Sequence, residues 1–342
     1  MKLVSYTAIG ERPRHRRLGI VLENDIIADG RAGYARLLAD QGDLQAEAIA
    51  ALRMPCEGAA FLAGGPVAMA EARRAAAWLA RLHDDHPDAR GLDDEPLFCH
   101  LSDTRLFAPL QPSKVIAAGR NYGAHHKEMS NSDMPYRLPS SWLKGASAVI
   151  GPHDDIVRPK AVQKMDYETE LAFVIGKRCK NVPRERAAEV IAGYVVANDV
   201  TARDIGRLER AEGNRLLGKS YDGFCPIGPC LVTADEIADA GNLDLMTRVN
   251  GDIRQDANTS DMIWKIPDIL AYVSQIELLP GDIVTTGSPE GVAQGGANKG
   301  NGAKFLKPGD VLESEISGIG GLRNRIVEDP LEPSWDWQEH KS

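Results

Sequence analysis

From Pro112 onward the chain is built of short β-branched runs, each ended by glycine or proline, and this punctuation limits the fold more than any other feature. Runs at 115–118, 148–150, 170–175, 192–197, 230–233, 246–249, 283–286, 311–316 and 322–327 have the length and composition of strands. Helical patterning is confined to 184–190, 201–212 and 266–275. The spacings are too short for repeated βαβ units, so the pattern predicts an α+β, β-dominated fold and not a doubly wound sheet. Pro-Gly-Asp occurs at Pro280 and at Pro308, each time just before a strand. Proline presets φ there and glycine accepts a positive one, so both are turns.

The first hundred residues have another texture. Segments 3–9, 18–22 and 25–28 predict a small antiparallel sheet, and the Ala-rich stretches 43–53 and 66–82 predict helices, with Pro66 at a first helical position. The polar segment 83–95 has no hydrophobic period and is expected to be a connector. His83 and His86 lie beside its aspartates, but an open loop containing a proline cannot hold metal ligands rigidly, so they are read as solvated. The expected division is a small N-terminal α+β domain with its connector over 1–108, a larger β-dominated domain over 109–330 and a tail over 331–342.

Composition removes several partner classes. Lys+Arg 40 against Asp+Glu 49 gives a formal charge of −9. No dense basic cluster interleaves with aromatics, which argues against nucleic acid and anionic membrane. No apolar stretch approaches the roughly 18 residues needed to cross a bilayer. The N-terminus runs strand-like and then basic, the reverse of a signal peptide. The cysteines number 5, without C-x-x-C spacing, which leaves isolated thiols in a reducing compartment and an expected cytoplasmic location.

The segment Asp166-Tyr-Glu-Thr-Glu-Leu171 carries the most chemistry. On a strand, the period of two puts Glu168 and Glu170 on one face, leading into an apolar run. Two like charges entering a core repel unless a cation lies between them. The apolar run 193–198 then ends at a third carboxylate, Asp199. Three oxygen donors without His or Cys suit Mg²⁺ or Mn²⁺, with Ca²⁺ a further candidate, rather than zinc or copper. Taken alone, the Glu-x-Glu spacing fits the wet face of an edge strand as well.

Two further constellations stand beside it. His125 and Glu128 are three apart and share a face if they lie on a helical turn, where the carboxylate would orient the imidazole as a base. By itself this is also an ordinary surface pair. Lys219, between Gly218 and Ser220, leads into a Pro/Gly-rich apolar stretch and could be partly buried and aimed at an anionic oxygen. It lacks P-loop spacing, and a surface lysine is the alternative.

The order of these pieces is more specific than any one of them. N-Y-x-x-H-x-x-E, D-Y-E-x-E-L, N-D-V-T-A-R-D, G-K-S-x-D and T-G-S-P-x-G-V together resemble the fumarylacetoacetate hydrolase family over about 112–326. The resemblance implies a mixed β-sandwich roll, usually a homodimer, binding Mg²⁺ or Mn²⁺ through Glu168, Glu170 and Asp199. It implies a water-activating dyad at His125 and Glu128, an active-site lysine at Lys219, and substrate contacts at Tyr122, Lys144, Thr286 and Ser288. Lys144-Gly145 departs from the Lys-Pro of many relatives, which puts the substrate contacts before Ala148 in question. The implied activity is hydrolysis of a carbon–carbon bond in an acylpyruvate or fumarylacetoacetate-like 1,3-dicarbonyl acid. The same enolate-stabilising site would also serve an isomerase, decarboxylase or tautomerase of an oxaloacetate-like or aromatic-degradation acid. Hydrolysis is the first expectation because the His-Glu dyad is intact.

Overall fold

The computed structural model describes residues 1–130, 137–295 and 304–335. Its main sheet has 12 strands, and the path through it runs from the N-terminal part into the rest of the chain. In order, Phe98–His100, Ile26–Asp29, Arg17–Val21 and Lys2–Ala8 lead to Cys225–Thr233, Ile191–Asn198, Thr169–Ile175, Ile283–Thr285, Val115–Gly119 and Ser140–Lys144. The junction is the antiparallel pairing of Lys2 with Val232 and Leu3 with Leu231. A second sheet, of five strands, is formed by Asp252–Asn258, Asp244–Val249, Val311–Ile316, Gly320–Glu328 and Ile156–Arg158.

Burial explains the two strand types. Thr169–Ile175 is buried at every position, because Ala172 and Val174 enter one apolar cluster while Leu171, Phe173 and Ile175 enter another on the opposite face. A strand covered on both sides is a continuous apolar run. Gly320–Glu328, by contrast, alternates buried and exposed side chains over much of its length, as a strand with one wet face must. The first cluster also receives the N-terminal helices through Leu37, Phe61, Ala72 and Leu79. The second takes Ile266, Ile269 and Leu270 of the helix Ile266–Val273.

Helix Gly30–Asp40 is absent from the sequence-based expectation, because two glycines dilute its periodicity. The second is there for contact: a Cβ on Gly33 would lie 2.7 Å from the methyl carbons of Leu79, so the glycine permits close helix approach. Asp29 caps this helix by accepting the Ala32 N–H at 3.0 Å. The helix expected to stop at 82 runs over Gly65–Asp85, so His83 is helical and not part of a connector, and its ring meets Phe98 edge-on at 4.9 Å. Segment 184–190 is 3-10 rather than α over Arg184–Glu189. Strands Ser140–Lys144 and Asp252–Asn258 had no sequence signal, the second being largely polar.

Candidate active site

The groups singled out for chemistry gather at one end of the main sheet for a topological reason. Val115–Gly119 and Ile283–Thr285 run parallel, Val115 opposite Ile283 and Ala117 opposite Thr285, so the loops leaving both strands emerge together. Thr169–Ile175 runs antiparallel to Ile283–Thr285 and to Ile191–Asn198, with Asn198 opposite Thr169. Glu168 therefore precedes one strand where Asp199 follows its neighbour, and the Asp199 N–H donates to the Glu168 carbonyl at 2.8 Å. Asn121 closes the edge: its side-chain amide donates to the Thr286 carbonyl at 2.8 Å and to the Trp264 carbonyl at 2.9 Å.

Glu168, Glu170 and Asp199 are buried and each offers an oxygen within 4.8 Å of the others. Buried carboxylates are costly unless cations answer them. Lys219 Nζ donates to Glu168 Oε2 at 2.6 Å and to Asp199 Oδ2 at 2.5 Å. Lys144 Nζ donates to Asp199 Oδ1 at 2.5 Å and to the Val200 carbonyl at 3.1 Å. Arg203 bridges Asp166 Oδ2 at 2.7 Å and Glu168 Oε1 at 2.5 Å. Asp166, Glu168, Glu170 and Asp199 thus meet Lys144, Arg203 and Lys219, leaving one negative charge in excess. It belongs to Glu170, which makes no ion pair among the described residues and accepts the Gly287 N–H at 2.8 Å.

The ionisation of the cluster follows from this asymmetry. Burial, then the charges of Asp199 and Glu168, push the Glu170 carboxyl well above its ordinary range. Burial acts in the same direction on Glu168, but the Arg203 guanidinium and Lys219 ammonium outweigh it and hold that carboxyl well below. Burial works to strip the proton from Lys219, and Asp199 and Glu168 more than restore it. An all-oxygen donor set with an unanswered charge at Glu170 fits a hard divalent cation.

The cluster opens into a pocket that His125, Trp142, Lys219 and Ser288 also line. His125 and Glu128 lie on the helix Gly123–Ser130, where His125 Nδ1 is 3.1 Å from Glu128 Oε2. With Nδ1 donating to the carboxylate, Nε2 is the proton acceptor. Lys219 is placed by a close helix crossing. A Cβ on Gly218 would lie 2.7 Å from the Gly206 Cα, so only glycine lets Leu217–Ser220 approach Arg203–Ala211 this closely.

The family model described as fumarylacetoacetate (FAA) hydrolase C-terminal matches residues 114–327. The chain belongs to the fumarylacetoacetate hydrolase family. A mitochondrial oxaloacetate tautomerase of Homo sapiens is 43% identical over 229 residues, 66% of this chain and 70% of the relative. A 5-carboxymethyl-2-hydroxymuconate delta-isomerase structure from Mycobacterium smegmatis aligns with TM-score 0.66 and 29% identity, covering 96% of this chain and 100% of that one. A maleylpyruvate hydrolase structure from Sphingobium sp. SYK-6, in complex with manganese(II) and pyruvate, aligns with TM-score 0.65 and 29% identity over 96% of this chain and 99% of that one. The mixed α+β, strand-rich architecture is that of the family, and the chain is an enzyme of that superfamily. Among the described residues, no helix is long and apolar enough to cross a membrane.

In this fumarylacetoacetate hydrolase family member the sequence-derived residues divide. Glu168, Glu170, Asp199, Lys219, His125, Glu128 and Ser288 come together at the pocket end of the sheet, although Ser288 Oγ is already engaged by the Gln255 amide at 2.8 Å. Tyr122, Lys144 and Thr286, expected to touch substrate, do not line the pocket. Tyr122 is packed in the second apolar cluster, 1% exposed. Thr286 binds the Leu171 carbonyl through both its N–H and its hydroxyl, at 3.0 and 2.9 Å. Lys144 lies beneath Asp199, fully buried. Asp166 and Arg203 belong to the same charged cluster, and both lie inside the motifs that carry the resemblance. Trp142, Arg120, Arg210 and Arg215 also line the pocket, and nothing in their local sequence marked them.

Proposed function

We propose that this enzyme interconverts the keto and enol forms of a 2-oxo dicarboxylic acid of the oxaloacetate type. The observation that carries this is a single pocket holding a carboxylate-oriented base, His125, beside Lys219 and a carboxylate cluster with one unanswered charge. The likeness to an oxaloacetate tautomerase and to a muconate-type isomerase supports it. Glu168, Glu170 and Asp199 would hold Mg²⁺ or Mn²⁺, in keeping with the manganese and pyruvate of the maleylpyruvate hydrolase neighbour. When bound, such an ion supplies Lewis acidity that lowers the cost of enolate charge.

The chain's own groups do the rest. His125 takes a proton from the carbon between the two carbonyl functions, and Glu128 stabilises the imidazolium that results. Lys219, kept charged by its two carboxylates, faces the negative charge growing on the 2-oxo oxygen. Return of the proton from His125 to that oxygen completes the enol.

Hydrolysis of a carbon–carbon bond in an acylpyruvate is the second reading, favoured by the same intact dyad, which could take its proton from water, and by the likeness to maleylpyruvate hydrolase. Proton NMR of products separates the two. Keto–enol exchange of oxaloacetate without new fragments is expected; two carboxylic acid fragments from an acylpyruvate, with no catalysed exchange of oxaloacetate, would replace the tautomerase by the hydrolase. A homodimer and a cytoplasmic location belong to the same proposal. Light scattering is expected at about twice the 37.1 kDa chain mass. The Homo sapiens relative is named mitochondrial, so fractionation is the check on location.

A further inference from the structure

The outer end of the pocket is as cationic as its depth is acidic. Arg210 stands near the end of helix Arg203–Ala211, and Arg215 lies in the turn leading to Leu217–Ser220, four positions before Lys219. Both are exposed, and neither makes an ion pair among the described residues. The pocket wall at this end does contain a carboxylate, Glu209, but its oxygens are taken by backbone. They accept the N–H groups of Leu216, Leu217 and Gly218 at 3.2, 2.7 and 2.8 Å. These bonds also fix the turn that carries Arg215.

Trp142 joins the two ends. Its ring lies 5.4 Å from the Arg215 guanidinium and 4.7 Å from Lys219 Nζ, within cation–π range of both. Its indole Nε1 is buried and has no hydrogen-bond partner among the described residues. An N–H donor left unmatched on a ring beside the unanswered Arg215 guanidinium, with that of Arg210 lining the same pocket, asks for an acceptor that is also an anion. The guanidiniums repel one another as well. Burial, then Arg203, Arg215 and Arg120, make Arg210 easier to deprotonate than usual, and a bound anion would relieve that repulsion.

We propose that Arg210, Arg215 and the indole N–H of Trp142 form the subsite for the distal carboxylate of the substrate, whose 2-oxo acid end lies at Glu170 and Lys219. This rests on the function proposed above and adds to it the residues that select a dicarboxylic acid over a monoacid. Arg215 and Lys219, linked through one indole ring, then hold the two ends of one substrate.

The test is calorimetric titration of the Mg²⁺-loaded protein with a matched pair of acids, 2-oxopentanedioate and 2-oxopentanoate, which share chain length and differ in the distal carboxylate. The wild type is expected to bind the diacid about tenfold or more tightly than the monoacid, the scale of one charge-assisted hydrogen bond. Arg210→Gln and Arg215→Gln should each weaken the diacid by about tenfold and leave the monoacid unchanged. Trp142→Phe keeps an aromatic face and loses the indole N–H together with the pyrrole ring that carries it, so it should weaken the diacid by several-fold more than the monoacid. A wild type that prefers the diacid while both arginine variants bind it normally would overturn the subsite and leave the proposed function standing. Equal weakening of both acids in the variants would do the same. A wild type that binds Mg²⁺ but neither acid would instead sink the proposed function, and the subsite with it.

Discussion

Lys219 and Arg215 are four residues apart and lie on the same tryptophan, yet their surroundings differ in kind. Lys219 sits among carboxylates, and nearly every buried charge around it has a counter-charge within hydrogen-bond distance. Arg215 stands at the mouth with no acid paired to it among the described residues. Burial makes the difference. A charge removed from water must be answered inside the protein, so the deep end is governed by folding stability as much as by chemistry. A charge at the mouth remains solvated and can be left unanswered at little cost, and is then available to a ligand. The exception in the deep end, Glu170, is the carboxylate that needs something from outside the chain.

The largest effect should come from that exception. Glu170→Ala is expected to abolish Mg²⁺ binding in calorimetry while the protein stays folded, since no internal cation loses a partner. Undiminished Mg²⁺ affinity would erase the contrast between Glu170 and its paired neighbours. Next, His125→Ala should lower the rate by about 10²–10⁴-fold, the scale of a general base, and leave Mg²⁺ affinity in place. A matching loss of metal affinity would move His125 from base to ligand.

Stability measurements sharpen the comparison from the other side. Lys144→Met leaves Asp199 Oδ1 buried without its ammonium, and urea unfolding should report a loss of about 3 kcal/mol. Arg215→Gln should stay within about 0.5 kcal/mol of the wild type. Equal losses would mean that the mouth is as much a structural network as the depth. The smallest effect is ionic. Raising salt should weaken 2-oxopentanedioate binding more than 2-oxopentanoate binding, because the mouth arginines are exposed to screening.

The same contrast governs what could be read from the sequence. Glu168 and Glu170 were legible because a strand has period two, His125 and Glu128 because a helical turn pairs positions three apart, and Asp199 because an apolar run ends at it. Each of those signals is local. The place of Lys144 beneath Asp199 depends on the pairing of Val115–Gly119 with Ser140–Lys144, which no local pattern encodes. Tyr122 and Thr286 lie in two of the motifs, and there Tyr122 packs in the second apolar cluster while Thr286 hydrogen-bonds the Leu171 carbonyl, contacts that no local pattern announces. Arg210 lies near the end of a helix that is legible as such, but nothing local says that its side chain reaches the pocket, and Arg215 comes from an irregular turn, where sequence periodicity has nothing to say. The fold divides likewise. The buried run at Thr169–Ile175 was readable, whereas the pairing of Lys2–Ala8 with Cys225–Thr233 joins segments over two hundred positions apart and had no local sign.

Deuterium exchange at the methylene carbon of oxaloacetate, followed by proton NMR, tests most directly whether the cluster and His125 act together through an enolate. With Mg²⁺ the wild type should accelerate exchange well above the buffer rate. The acceleration should vanish on chelation, return with Mg²⁺ or Mn²⁺, and be missing in Glu170→Ala. Exchange no faster than buffer in a protein that calorimetry shows to hold Mg²⁺ would contradict the account.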